Sequence, residues 1–185
     1  MSDDEMHWSK AAAGDGDAFG VIFDRHRARL HRHSRGLAPS FADADDVVAI
    51  TFLEAWRKRD SVRFVDGSML PWLLRTATFT ANNLSRGARR YRVALSRLPI
   101  DDHHPDHADA IGDGDALTAL QQLSTLDQQV ITLSIIEGLT LEETARVLGV
   151  RVGTVKSRLS RAKTRLREQF DPHTAIRFEG VTDVH

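Results

Sequence analysis

The chain of 185 residues contains no cysteine, which excludes disulfides and any thiolate metal centre. Aromatic residues make up only 6 % of it, with a single tyrosine, a scarcity that leans towards helix and away from sheet. No apolar run approaches the roughly 18 residues of a membrane span. The acidic start, MSDDE, is unlike a signal peptide, so a cytoplasmic protein without a membrane span is the expectation. What the chain does have is a hydrophobic content of 41 %, which suits one ordinary folded domain or two small ones.

The formal net charge of −1 hides a strong segregation along the chain. From Arg75 to Arg97 there are six arginines and no acid, whereas Asp101 to Asp115 holds six aspartates and no Lys or Arg. Thr140 to Phe170 then carries eight bases against three acids. Two basic blocks around an acidic spacer suggest two nucleic-acid-binding surfaces joined by a segment that phosphate repels.

Apolar spacing divides the chain further. The acidic segment 1–13 precedes a helical block at 14–95, in which Phe19, Ile22, Phe23, His26 and Leu30 fall on one helix face. After a break at Gly36–Ser40, Asp43–Arg59 repeats the pattern with Val47, Val48, Thr51, Phe52, Ala55 and Trp56. Aspartates 43, 45 and 46 at its start and Arg57, Lys58 and Arg59 at its end suit the helix dipole.

A third helix opens near Pro71, a residue accepted at a first helical position. Leu70, Leu73, Leu74, Ala77, Ala81 and Leu84 form its core stripe, and Trp72, Thr76, Phe79, Asn83, Arg86 and Arg90 line the other side. Rings followed by an amide and arginines suit a separated strand, since bases stack on rings while arginines hold phosphates. A helix packed on both sides would bury Trp72 and Phe79 instead, and on the residues alone that plainer reading is the better one.

Residues 96–117 read as a linker. Its His103, His104, Asp106, His107 and Asp109 have nothing to fix a coordination geometry, so no metal site is assigned and no cofactor is expected. Residues 118–170 form a second helical block with Leu120, Leu123, Leu126, Val130, Ile131, Leu133 and Ile135 as its core, and 171–185 read as a weakly ordered tail.

The most specific signal is LTLEETARVLGVRVGTVKSRLSRAKTRLRE, from residue 139 onward. Thr140 and Glu143 form a capping box ahead of a helix with Leu141, Thr144, Ala145 and Leu148 on one face. Gly149 stops it. The next helix has a narrow apolar stripe of Val155, Leu159, Ala162 and Leu166, with Thr154, Lys156, Ser157, Arg158, Ser160 and Arg161 among the residues on its other faces. Short hydroxyl side chains permit close approach to base edges, and arginines reach guanine or phosphate, so this helix-turn-helix fits a DNA major groove. The fold class expected is therefore all-α: two small helical domains joined by a flexible acidic linker, the C-terminal one a helix-turn-helix.

In order and content these pieces resemble bacterial RNA polymerase sigma factors of the extracytoplasmic-function (ECF) type. The resemblance is carried by DADDVVAITFLEAWRK (43–58), LPWLLRTAT (70–78) with its trailing arginines, and residues 124–168. It implies a non-catalytic subunit that binds core RNA polymerase and promoter DNA, and for which an anti-sigma factor is a further possible partner. Block 14–95 would contact the polymerase and the −10 element, and block 118–170 the −35 element. By position, Asp46, Val47, Phe52, Trp56 and Arg57 belong to the polymerase-contacting helix. Loop 63–70 corresponds to the part that captures a flipped −10 base, and Trp72, Phe79, Asn83, Arg86, Arg89 and Arg90 to the strand-holding surface.

Lys156, Ser157, Ser160 and Arg161 fall at the −35 contact, with Thr154 and Arg158 on phosphates. Two departures stand out: Phe79 where many relatives have Asn, and Ala49-Ile50 where a polar-acidic pair is common. The rival reading is a stand-alone helix-turn-helix regulator, which has no need of a polymerase-binding segment. A metal hydrolase built on the His/Asp linker lacks a folded pocket.

Overall fold

The computed structural model describes residues 1–95 and 114–170. Among them the chain is helical, with α1 (Asp3–Ala12), α2 (Gly16–Arg35), α3 (Phe41–Arg57) and α4 (Leu70–Leu95) in the first half. The second half has α5 (Gly114–Gln121), α6 (Thr125–Ile131), α7 (Leu141–Leu148) and α8 (Val152–Phe170). Local chemistry sets most of the boundaries. The side chains of Asp15, Ser40, Ser124 and Thr140 each accept a backbone N–H at a helix start, satisfying donors that the helix itself leaves unpaired.

The first half packs around Ile22 and Leu30 of α2, Val47, Phe52 and Ala55 of α3, and Leu73, Leu74, Ala77 and Ala81 of α4. Two differences from the sequence reading stand out here. The acidic segment 1–13 is mostly helix: a capping box of Ser2 and Glu5 opens α1, which buries Trp8 and Ala11. The second block also begins earlier than residue 118, because α5 starts at Gly114.

In the second half, Leu120, Leu123, Ile131 and Ala162 form one apolar cluster and Val130, Ala145 and Val155 another. Ile135, expected in this core, is 52 % exposed. The cause is a single π-helical turn at Thr132–Ile136, closed by the Glu137 N–H donating to the Thr132 carbonyl at 2.9 Å. Its extra residue breaks the 3.6-residue period from which the burial of Ile135 was inferred.

The two halves meet. Leu133 and Val147 of the second half belong to the same buried cluster as α2 and α4. At this seam Glu137 is fully buried and accepts from Arg29 Nε at 2.6 Å, while its backbone carbonyl accepts from Arg29 Nη2 at 2.8 Å. His33, also fully buried, has Nδ1 3.9 Å from the same carboxylate and Nε2 2.9 Å from Thr78 Oγ1. Burial and the nearby Arg29 charge push the His33 pKa down to about 3, so the ring is neutral. Farther along the seam, Arg75 Nη1 donates to the Arg146 carbonyl at 3.0 Å.

Candidate nucleic-acid interface

The helix-turn-helix forms as its sequence dictates. Thr140 Oγ1 accepts from the Glu143 N–H at 3.2 Å, and the Glu143 carboxylate accepts from the Thr140 N–H at 2.8 Å. That backbone bond, followed by the threonine hydroxyl, holds the Glu143 carboxyl below the usual range. Gly149 takes φ 69, ψ 32 at the end of α7, a left-handed conformation in which a Cβ is strained.

Val155 and Ala162 of α8 are fully buried, and Leu159 and Leu166 pack partly against the same clusters. This stripe fixes the rotation of the helix. Lys156, Ser157, Ser160 and Arg161 consequently lie exposed on its outer side. Ser157 Oγ donates to the Thr154 carbonyl and Arg161 Nε to the Ser157 carbonyl, so the donors are held along the helix. Thr154 is half-buried. Arg158 departs from the phosphate-contact reading: its Nη1 lies 3.2 Å from Oδ1 of buried Asp127 and 3.4 Å from Ser124 Oγ. Arg165 reaches the other Asp127 oxygen at 3.4 Å. Both arginines brace α8 against the start of α6.

The second surface lies on α4. Its core stripe is buried, and the opposite face borders an open trough of about 650 Å³ between α3 and α4, lined by Trp72, Arg75, Thr76, Phe79 and Asn83 with Ile50 across from them. Trp72 is half-buried, whereas Phe79 is 43 % exposed with the Arg75 guanidinium 5.5 Å from its ring centroid. One ring thus anchors the wall, and the other is exposed at the surface beside a cation. Arg86 and Arg90 continue the face, exposed; the side chain of Arg89 lies outside the described residues.

Loop 63–70 stands at the head of this helix. Val65 and Ser68 exchange both backbone hydrogen bonds, at 2.9 and 3.0 Å, around Asp66 (φ 50) and Gly67 (φ 75). Two successive positive φ values make this a tight two-residue turn of the I′ kind, for which Asp-Gly is a favoured sequence.

The third surface is on α3. Asp46, Trp56 and Arg57 are exposed, but Val47 and Phe52 are 0 % and 3 % exposed and have almost no surface to offer a partner. Both belong to the buried cluster that includes Leu73 and Leu74, and the Phe52 ring packs against Phe19 and Phe23. Around Trp56 the fold adds apolar residues that the polymerase-contact reading did not include, Leu53 and the α2 residues Phe19 and Phe23 among them. Ala49, Phe52, Leu53 and Trp56 of α3 and Phe19 and Phe23 of α2 border an open apolar groove of about 430 Å³, with Phe52 forming part of its floor. The Phe19 and Trp56 rings meet edge-on at 5.7 Å, and Leu53 is 55 % exposed. The available signal was Leu53 itself, an apolar residue off the core stripe and three positions before Trp56. Ala49, one of the two departures, is part of this lining.

The His/Asp run at 103–109 lies outside the described residues, and among the described ones no three His, Asp or Glu side chains gather as metal ligands. No helix among the described residues is long and apolar enough to cross a membrane.

Comparison with known proteins assigns these surfaces to a family. The chain matches the models of Sigma-70 region 2 over residues 22–91 and of Sigma-70, region 4 over residues 114–166. It is 34 % identical over 157 residues to ECF RNA polymerase sigma factor SigM of Mycobacterium tuberculosis, covering 83 % of this chain and 78 % of that one. RNA polymerase sigma factor CnrH of Cupriavidus metallidurans is 30 % identical over 182 residues, covering 91 % and 94 %.

The structure of CnrH in complex with the cytosolic domain of CnrY superposes with a TM-score of 0.66 at 31 % identity, over 91 % of this chain and 97 % of that one. The sigma factor RpoE of Bartonella quintana, solved with the anti-sigma factor NepR, gives 0.65 at 28 %, over 82 % and 93 %. With an outward donor row on α8, a ring-and-arginine face on α4 and both family regions in order, the chain belongs to the ECF sigma factors, which direct promoter-specific transcription initiation by RNA polymerase.

Proposed function

We propose that Lys156, Ser157, Ser160 and Arg161 read the −35 duplex from the major groove, and that Trp72, Phe79, Asn83, Arg86, Arg89 and Arg90 hold the separated −10 strand. The corresponding domains are block 118–170, extended back to the start of α5 at Gly114, and block 14–95 with α1 packed on it. The observation that carries this reading is the outer row of α8, where two small hydroxyls sit between two cations while the apolar stripe behind them is fully committed to the core. Thr154 completes it at the phosphate, and Arg158 acts by bracing the helix. Loop 63–70 captures a flipped base, and the stacking and phosphate contacts along α4 offset an unpairing cost of a few kcal/mol.

Core polymerase docks on the exposed side of α3 through Asp46, Trp56 and Arg57, with the apolar groove beside Leu53 adding buried area. The protein acts in the cytoplasm, catalyses no reaction itself and takes no cofactor. An anti-sigma factor is a further partner, supported by the complexes in which the related CnrH and RpoE were solved.

Run-off transcription with core polymerase on a promoter library tests the assignment. Arg161→Ala is expected to lose −35-dependent initiation by about 1–3 kcal/mol, or roughly five- to 150-fold. Wild-type transcription by that variant would remove α8 as the reading face. A chain that bound its DNA site alone and ignored core enzyme would support a stand-alone regulator instead.

A further inference from the structure

Helix α1 has an apolar reason to exist, because Trp8 and Ala11 are buried. Its polar side chains do something more specific. Trp8 Nε1 donates to the Arg59 carbonyl at 3.1 Å, and Ser2 Oγ donates to the Gly67 carbonyl. Asp4, only 5 % exposed, accepts from the Met69 N–H at 3.0 Å, from Ser68 Oγ at 3.2 Å and from His26 Nε2 at 2.9 Å on one oxygen. Its other oxygen takes Arg25 Nη1. The helix therefore grips the segment 59–69 at both ends and leaves its middle, with Val65 and Asp66 exposed, at the surface.

The grip is close. A Cβ on Gly67 would lie 2.5 Å from Ser2 Cβ, so the underside of the turn is seated directly on the residue that caps α1. The I′ turn fixes the backbone of 65–68 internally, and α1 fixes that turn relative to α2. Packing alone would not require four donors to converge on one carboxylate, with two of them from consecutive residues of the loop. Recognition of a single base does require walls that stay in place, since a loop that must be ordered at binding loses affinity and selectivity to that ordering.

We propose that Asp4, assisted by Ser2, is the positioning residue of loop 63–70 and thereby sets its selectivity for the flipped −10 base; this rests on the reading of that loop as the base-capturing element. Asp4 does not touch DNA. It holds Ser68 and Met69, and through them the orientation of Val65 and Asp66. Asn in its place offers one acceptor oxygen instead of two and places an N–H2 against donors, so the bonds to the loop and to Arg25 cannot all be kept.

The experiment measures open-complex formation by holoenzyme on promoters that differ only at the −10 position chosen by the loop. Asp4→Asn is expected to flatten the preference among the four bases by roughly ten-fold, while duplex binding at −35 and affinity for core polymerase stay as in the wild type. Ser2→Ala, which removes the bond to Gly67 and leaves the buried carboxylate in place, is expected to flatten it less. An equal loss on all four promoters would overturn the proposal, because general destabilisation lowers every promoter alike. Val65→Ala and Asp66→Ala separate the two ideas. If they alter base preference and Asp4→Asn does not, the positioning role is wrong and the loop reading stands. If neither loop variant alters it, the loop reading itself fails and the proposal with it.

Discussion

Helices α4 and α8 are built on the same plan and finished differently. Each buries one apolar stripe and turns a cation-bearing face outward. The face of α4 carries Trp72 and Phe79 along an open trough, whereas that of α8 has Ser157 and Ser160 between Lys156 and Arg161 and no ring from Val152 to Gln169. Rings need a base face, which only an unpaired strand supplies. Short hydroxyls beside arginine and lysine need base edges, which the major groove of a duplex supplies. On the proposed reading the outer residues thus separate two DNA states that the shared basic character does not.

The strongest way to break the comparison is to uncouple the halves that carry the two helices. Arg29→Ala leaves Glu137 buried at the seam without its cation, and urea denaturation is expected to show a loss of about 3 kcal/mol. That is the low end for breaking a buried pair, because the Arg29 side chain is 40 % exposed. An unchanged midpoint would mean that the seam contributes little to stability.

Next in size, Trp72→Ala combined with Phe79→Ala is expected to weaken binding of holoenzyme to a premelted −10 strand by about 2 kcal/mol for each base stacked, and to leave −35 duplex binding untouched. Equal losses on both templates would erase the distinction between the helices.

Acid should also separate the halves. All four histidines among the described residues lie before Arg35, and burial lowers the pKa of His26 and brings His33 to about 3. For Asp4, burial works upward, but the bonds from Arg25, Met69 and His26 outweigh it and hold the carboxyl below the usual range. The unfolded chain therefore binds more protons than the folded one. Stability contributed by His33 is complete above its unfolded pKa near 6.5 and falls as the pH drops towards about 3, by about 1.4 kcal/mol per unit. Denaturation followed by the fluorescence of Trp8, Trp56 and Trp72, all in the first half, should shift to lower urea from pH 7 to pH 5. A constant midpoint would show that His33 is charged in the folded protein or exposed.

The smallest effect is expected at the turn. Gly149→Ala places a Cβ at φ 69 with open space around it, costing about 1 kcal/mol and lowering −35 affinity without affecting strand binding.

What the sequence disclosed follows the range of the forces involved. The Thr140–Glu143 box, the Gly149 stop and the stripes of α2, α3, α4 and α8 are set by residues within a few positions of one another, and they appear in the structure as expected except at Trp56, the exposed end of the α3 stripe. Helix α1 escaped because its acids read as a solvated segment, while the partners that bury Asp4 lie at 25, 26, 68 and 69. Ile135 was misplaced because no pattern announced the π turn. On α3, Val47 and Phe52 lay on the legible apolar stripe; what the stripe did not show is that burial in one cluster with α2 and α4 leaves them almost no surface for a partner.

The shared core of the two halves carries a consequence for distance. Elements centred at −10 and −35 are about 25 base pairs apart, or about 85 Å of duplex at about 3.4 Å per pair. A body made of the described residues, with its halves packed as here, is only about 40 Å across. On the proposed reading, in which one molecule contacts both elements, Leu133 and Val147 would have to leave the α2 and α4 core, and Glu137 to part from Arg29. On that reading the packed arrangement is the one held before the promoter is bound. On the same reading its opening would be work shared by the polymerase and the promoter, since neither element alone supplies the span that demands it.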